Sequence, residues 1–177
     1  MKTRFTQIAI AIALLLGMTS CPGEDYNWRT KPVYLHQIEV QNIDMSGADP
    51  VESNTSISMK AYAIALLYMV SDNPKTEGVS QDTRLKTLEE SHKNQKFVSI
   101  EVFCNRDFNA DYPAGSDIAK LFVRGILPTG RIDESDIAID YLVMTTQPEN
   151  PGKYQFRVCY NLEDEVLEAT TLEVDLY

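Results

Sequence analysis

The chain has 177 residues, with 16 basic and 26 acidic side chains and a formal net charge of −10. Such an acidic surface repels phosphate backbones and anionic lipid headgroups, which argues against nucleic acid as a partner and against electrostatic membrane binding. The first element in chain order is a positive start at Lys2 and Arg4, an apolar run from Ile8 to Gly17, and the small or neutral approach Met18-Thr19-Ser20. That is the three-part plan of a secretory signal, with cleavage expected after Ser20. The apolar run is about half the roughly twenty residues that a membrane-crossing helix needs, so the reading is a segment that is removed. The new N-terminus would be Cys21.

A signal that ends at cysteine resembles the bacterial lipoprotein signal, with Met18 standing where leucine is usual. The acidic pair Glu24-Asp25 is similar to the surface-export signal of lipoproteins of the Bacteroidetes phylum, and residue 22 is Pro where an inner-membrane retention signal would have Asp. The resemblance implies lipid on Cys21 and a lipid-anchored, surface-exposed position at the outer membrane. Each buried methylene contributes about 0.8 kcal/mol, so several acyl chains on one cysteine would hold the protein permanently. Residues 21–32, polar and without either hydrophobic period, read as a tether. Without residues 1–20 the chain has 157 residues and loses Lys2 and Arg4, leaving 14 basic against 26 acidic residues and a formal net charge of −12. Residues 33–177 fit one domain.

Strand signals dominate that domain. Tyr34, Ile38 and Val40 alternate with Gln37, Glu39 and Gln41, which predicts a half-buried strand over 33–43. Asp44 to Thr55 holds turn formers. Residues 57–70 are apolar on both parities from Ala61 onward. Local propensity leaves helix and strand both open there, and the neighbouring strands favour a central strand. Residues 71–96 form a long connection with a short amphipathic helical pattern from Thr83 to Ser91. Phe97 to Phe103 is a strand; Ser116 or Asp117 is placed to cap a short helix carrying Ile118, Leu121 and Phe122. A strand over 137–145 puts Ile137, Ile139, Tyr141 and Val143 on one face. The end of the chain reads as a hairpin, 153–161 and 166–177, turning at Leu162 to Glu165.

With Cys21 assigned to lipid, Cys104 and Cys159 remain in a compartment where disulfides form. A bridge between them stays open, because Cys104 shares parity with Val98, Ile100 and Val102 while Cys159 opposes Tyr154, Phe156, Val158 and Tyr160. Only a bulge or a strand end reconciles those faces. His36 and His92 have no metal-ligand spacing and read as surface or strand-edge residues. Adjacent Glu89 and Glu90 point in different directions on a helix, so they make no acid and base pair. Asp133, Glu134 and Asp136 supply calcium-type oxygens without the glycine turn and distal glutamate of an EF-hand. No nucleophile elbow, zincin helix or phosphate loop occurs, and no cofactor or metal is implied. Among the aromatics, Tyr112 is the candidate ligand contact, as a ring for sugar stacking.

The run from Val98 to Phe122, with its Asp107-Phe108 and Pro113-Ala114-Gly115 turn, resembles a segment of small Bacteroides lipoproteins with a domain of unknown function. The strand from Pro151 to Val158 is similar to the last strands of immunoglobulin-like domains. The expectation is a mostly β fold, an antiparallel two-sheet, immunoglobulin-like sandwich with one or two short helices in the connections. Its expected role is a non-enzymatic binding or interaction module with an unknown protein or glycan partner, accessory to glycan or nutrient uptake. The alternative is a structural or adhesive, fimbria-associated subunit.

Overall fold

The structure, a computed structural model, describes residues 34–71, 91–92, 94–125 and 139–177. Cys21 with its signal and tether, the helical pattern from Thr83 up to Glu90, the Glu89-Glu90 pair and the Asp133, Glu134, Asp136 group lie outside the described residues. The chain divides between Lys31 and Pro32, and the described residues all lie in the second unit, Pro32–Tyr177.

That unit is a β-sandwich. One layer is a five-stranded antiparallel sheet in the order β2 (Val51–Glu52), β1 (Tyr34–Asp44), β4 (Tyr62–Ser71), β7 (Ile139–Met144), β6 (Phe122–Gly125). Facing it are two three-stranded sheets, β10 (Val166–Thr170), β9 (Phe156–Leu162), β5 (Phe97–Cys104), and β3 (Ser56–Ile57), β11 (Val174–Leu176), β8 (Gly152–Tyr154). They share the C-terminal hairpin, which turns at Glu163 and Asp164 and runs back along itself for its whole length. Its register slips by one residue between Thr170↔Arg157 and Val174↔Tyr154. At the slip the Thr171 N–H donates to the Phe156 carbonyl at 2.8 Å, and the Thr171 hydroxyl accepts from the Phe156 N–H at 3.1 Å. The extra residue thus passes the hairpin from one sheet to the other without orphaning buried backbone groups.

The stretch that local propensity left ambiguous is one 3₁₀ turn, Met59–Ala61, followed by the central strand β4. Tyr62, Ile64, Leu66, Tyr68 and Val70 enter the main core with Ile38, Val102, Phe156, Val158, Tyr160 and Leu162. Ala63 and Ala65, on the opposite parity, join a second apolar cluster with Ile43 and Tyr141, flanked by Leu67 and Val143. A strand with both faces buried carries no alternation for a sequence pattern to display, and burial overrides the helical preference of Ala, Leu and Met. The same logic refines β7. Tyr141 and Val143 do share a face, but it is the outer one, while Leu142 and Met144 enter the main core.

The short helix expected at 118–122 is a single 3₁₀ turn, Ala119–Leu121. Asp117, not Ser116, provides the acceptor: its Oδ1 takes the Ala119 N–H at 2.9 Å and also the Val102 N–H of β5 at 3.0 Å. With Ile118 N–H donating to the Val102 carbonyl at 2.7 Å and Gly115 N–H to the Cys104 carbonyl at 3.0 Å, residues 115–118 lie along the outer edge of β5. The second task of Asp117 holds the chain extended where a longer helix would have begun.

Candidate functional site

At one end of the sandwich the last residues of β4, β6 and β9 meet the first residues of β5 and β7. Alternation turns Tyr68, Arg124, Asp140 and Tyr160 into the space between the layers. The Tyr68 hydroxyl donates to Asp140 Oδ2 at 2.7 Å, and Arg124 donates to the same oxygen through Nε at 2.7 Å and through Nη2. The Asp140 side chain is 4% exposed and that of Arg124 36%. The carboxylate is therefore enclosed, while its cation reaches the mouth of the sandwich and lies over the Phe97 ring at 5.5 Å. Tyr160 packs edge-on against Tyr68 at 5.5 Å between ring centres and shares a hydrogen bond with His92 Nε2. His92 in turn stacks on Phe97 at 5.4 Å.

Burial pushes the Tyr68 phenol far above its ordinary range, reinforced by the Asp140 charge. Burial also pushes Tyr160 up to about 12, although Arg124 acts in the other direction. Desolvation works against the charge on Arg124, but the Tyr68 and Asp140 oxygens outweigh it and its pKa rises. The group therefore consists of two neutral phenols and one permanent cation gathered on an enclosed carboxyl group. A carboxylate already accepting from a phenol and a guanidinium is poorly placed to take a substrate proton. What the arrangement offers outward is the guanidinium face of Arg124.

His92 is not the surface residue that its polar neighbours suggested. It is half-buried and ring-packed, and the segment that carries it is anchored by Gln95, whose amide accepts the Leu35 N–H at 2.5 Å and donates to the Leu35 carbonyl at 2.9 Å. His36 is the extra residue of a bulge in β1 between Leu35 and Gln37. Cys104 and Cys159 are free thiols in the structure, against the bridge that the sequence left open. Glu101 is the register partner of Cys159, so Cys104, three residues further along β5, points to the opposite face. Cys104 lies in the core, its thiol donating to the Arg106 carbonyl at 2.6 Å. Cys159 lies on the outer face against Arg157 at 3.2 Å and Glu168 at 3.3 Å. Burial raises both thiols, Cys159 to about 11, so neither has the thiolate character of a reactive cysteine.

Tyr112 is half-buried against the main core, and Lys120 Nζ sits over its ring at 4.9 Å. Sugar stacking on that face would require Lys120 to leave. Sequence reading missed Arg124, Asp140 and Tyr160, and Tyr68, an aromatic open to sugar stacking on sequence grounds, is instead enclosed with them. One signal was present: Asp140 interrupts the otherwise apolar run Ile139 to Met144 on the parity of Leu142 and Met144, and a buried charge demands a partner. Nothing in sequence spacing pointed to Arg124, sixteen residues away. Among the described residues no group of three or more His, Cys, Asp or Glu side chains is arranged to hold a metal ion. No protein-family model matches the chain, and no curated protein does.

Proposed function

We propose that the protein is a lipid-anchored outer-membrane or cell-surface lipoprotein whose sandwich is a non-catalytic interaction module, accessory to glycan or nutrient uptake. The carrying observation is the secretory pattern ending at Cys21, followed by a polar tether and one strand-rich domain. The geometry agrees with a recognition role in one respect: among the described residues no buried side-chain nitrogen or oxygen lacks a hydrogen-bond partner, and the faces and edges of the sheets are what a partner meets. Confinement to a membrane would raise the domain's effective concentration near other membrane components. Labelling of cells with a fatty acid is expected to mark the protein, and Cys21→Ala is expected to abolish the label; persistent labelling overturns the anchor. Retention on insoluble polysaccharide, reduced by Tyr112→Ala, is the expected outcome for the glycan role. No retention removes it and leaves a protein partner.

A second reading, a structural or adhesive fimbria-associated subunit, is favoured by a specific observation: among the described residues nothing covers the outer edge of β6 in the larger sheet.

A further inference from the structure

The sheet edges of this domain are not equally protected. On β5, residues 115–118 take the Val102 and Cys104 groups, and a bulge at Val98 interrupts the rest. The open side of β1 is stitched by Gln95 at Leu35 and by Ser53, whose N–H donates to the Asn42 carbonyl at 3.0 Å. Covering strands, bulges and side-chain stitches are ordinary ways of blunting an edge. β6, the last strand of the five-stranded sheet, has none of these among the described residues.

Its free groups follow from the ladder. Thr145 N–H donates to the Leu121 carbonyl at 2.8 Å, so in the register Phe122↔Met144, Val123↔Val143, Arg124↔Leu142 the residues that bond β7 are Leu121, Val123 and Gly125. The backbone groups of Phe122 and Arg124 point outward. The Phe122 N–H donates to the Ala119 carbonyl, which leaves the Phe122 carbonyl and both backbone groups of Arg124 without a partner among the described residues. Side chains then set what an added strand would meet. On the outer face Val123 is 58% exposed beside the apolar cluster of Val143, Ala65 and Tyr141. On the other parity the Arg124 side chain is 36% exposed, with Nε and Nη2 held by Asp140 and the guanidinium also beside the Tyr160 hydroxyl, so its positive charge stands at the edge of β6.

We infer that the outer edge of β6 accepts an extended segment of a partner protein in which an apolar residue, resting beside Val123, alternates with an acidic residue facing Arg124. Main-chain bonds supply affinity in this mode and alternate side chains supply specificity. The inference rests on the reading of the domain as an interaction module and names the surface that would do it.

The probe is a synthetic eight-residue peptide alternating valine with glutamate, compared with its glutamine counterpart and with the same peptide N-methylated on alternate amides. Titrated into the isotopically labelled full chain, the glutamate peptide is expected to bind saturably and slow exchange of the Arg124 amide by about tenfold or more, as a new hydrogen bond does. N-methylation and Val123→Lys are each expected to abolish that protection, and Arg124→Gln to remove the preference for glutamate over glutamine. Thermal melts of both variants establish that the fold is intact. No saturable binding at about 1 mM, roughly −4 kcal/mol at the standard state, overturns the inference. Binding that survives Val123→Lys with the Arg124 amide still exchanging also overturns it, and leaves the interaction module intact on another surface. Protection that grows with protein concentration in the absence of peptide makes the occupant a second copy, and overturns the assignment to a partner.

Discussion

Two polar networks lie between the layers, and they solve the same problem differently. Near the start of β4, Asn42 is completely buried and fully engaged: its Oδ1 accepts the Tyr62 hydroxyl at 2.7 Å, and its amide donates to Asn54 Oδ1 at 3.0 Å and to the Leu172 carbonyl at 2.8 Å. Near the end of the same strand, Tyr68, Asp140 and Arg124 form an ionic group whose cation is partly in water. The neutral network joins β1, β4 and the strand switch before β11, so it holds the two layers in register. The ionic network closes the mouth of the sandwich while leaving a cation at the edge of β6. The difference teaches that neutral amides are suited to locking a buried junction, while a charge pair with one exposed member can both close a core and present charge to solvent.

Replacing Asn42 tests the first half most severely. Asn42→Val leaves the Tyr62 hydroxyl and the Leu172 carbonyl without the partner they have now, and a loss of about 3 kcal/mol is expected in urea unfolding, independent of salt. Asp140→Ala should cost less, about 2 kcal/mol, because a cation that is a third exposed can turn to water when its partner is removed. Its cost should also shrink in 1 M salt, where the screening length is about 3 Å, and equal salt sensitivity of the two variants would erase the contrast.

Alkaline titration sharpens the comparison further. A phenol or thiol raised by folding stabilises the protein below its unfolded pKa, and that contribution is lost as pH rises through the folded value. For Tyr160, raised from 10.0 to about 12, the window is between those two values. For Cys159, raised from 9.0 to about 11, it begins lower. Stability is therefore expected to fall progressively above about pH 9, and Tyr160→Phe to flatten the upper part of the curve. The smallest effect concerns the thiols: in Cys21→Ala protein, both Cys104 and Cys159 should react with an aromatic disulfide reagent only on unfolding, and without prior reduction. Rapid reaction of either thiol in the folded protein would contradict its burial.

Much of this arrangement was legible in the chain itself, and the limits fall at particular residues. β1, β5 and the C-terminal hairpin follow from period-2 alternation, because each has one face in the core and one in water. The conflict of parity between Cys104 and Cys159 was equally readable, since side-chain direction along a strand is a local property. β4 was readable as a central strand only from its neighbours and not from its own pattern, because two buried faces erase alternation. The turn at Ala119–Leu121 fell short of a helix because Asp117 serves two backbone donors, one of them on β5. Tyr68, Arg124 and Asp140 come from three strands far apart in sequence. What the sequence determined is the strand-rich class, the turns and the face each cysteine takes, all consequences of neighbouring residues. Tertiary structure alone decided which charges meet, which of two apolar faces becomes the main core and which sheet edge is left uncovered among the described residues, because those depend on long-range pairing that no local period encodes.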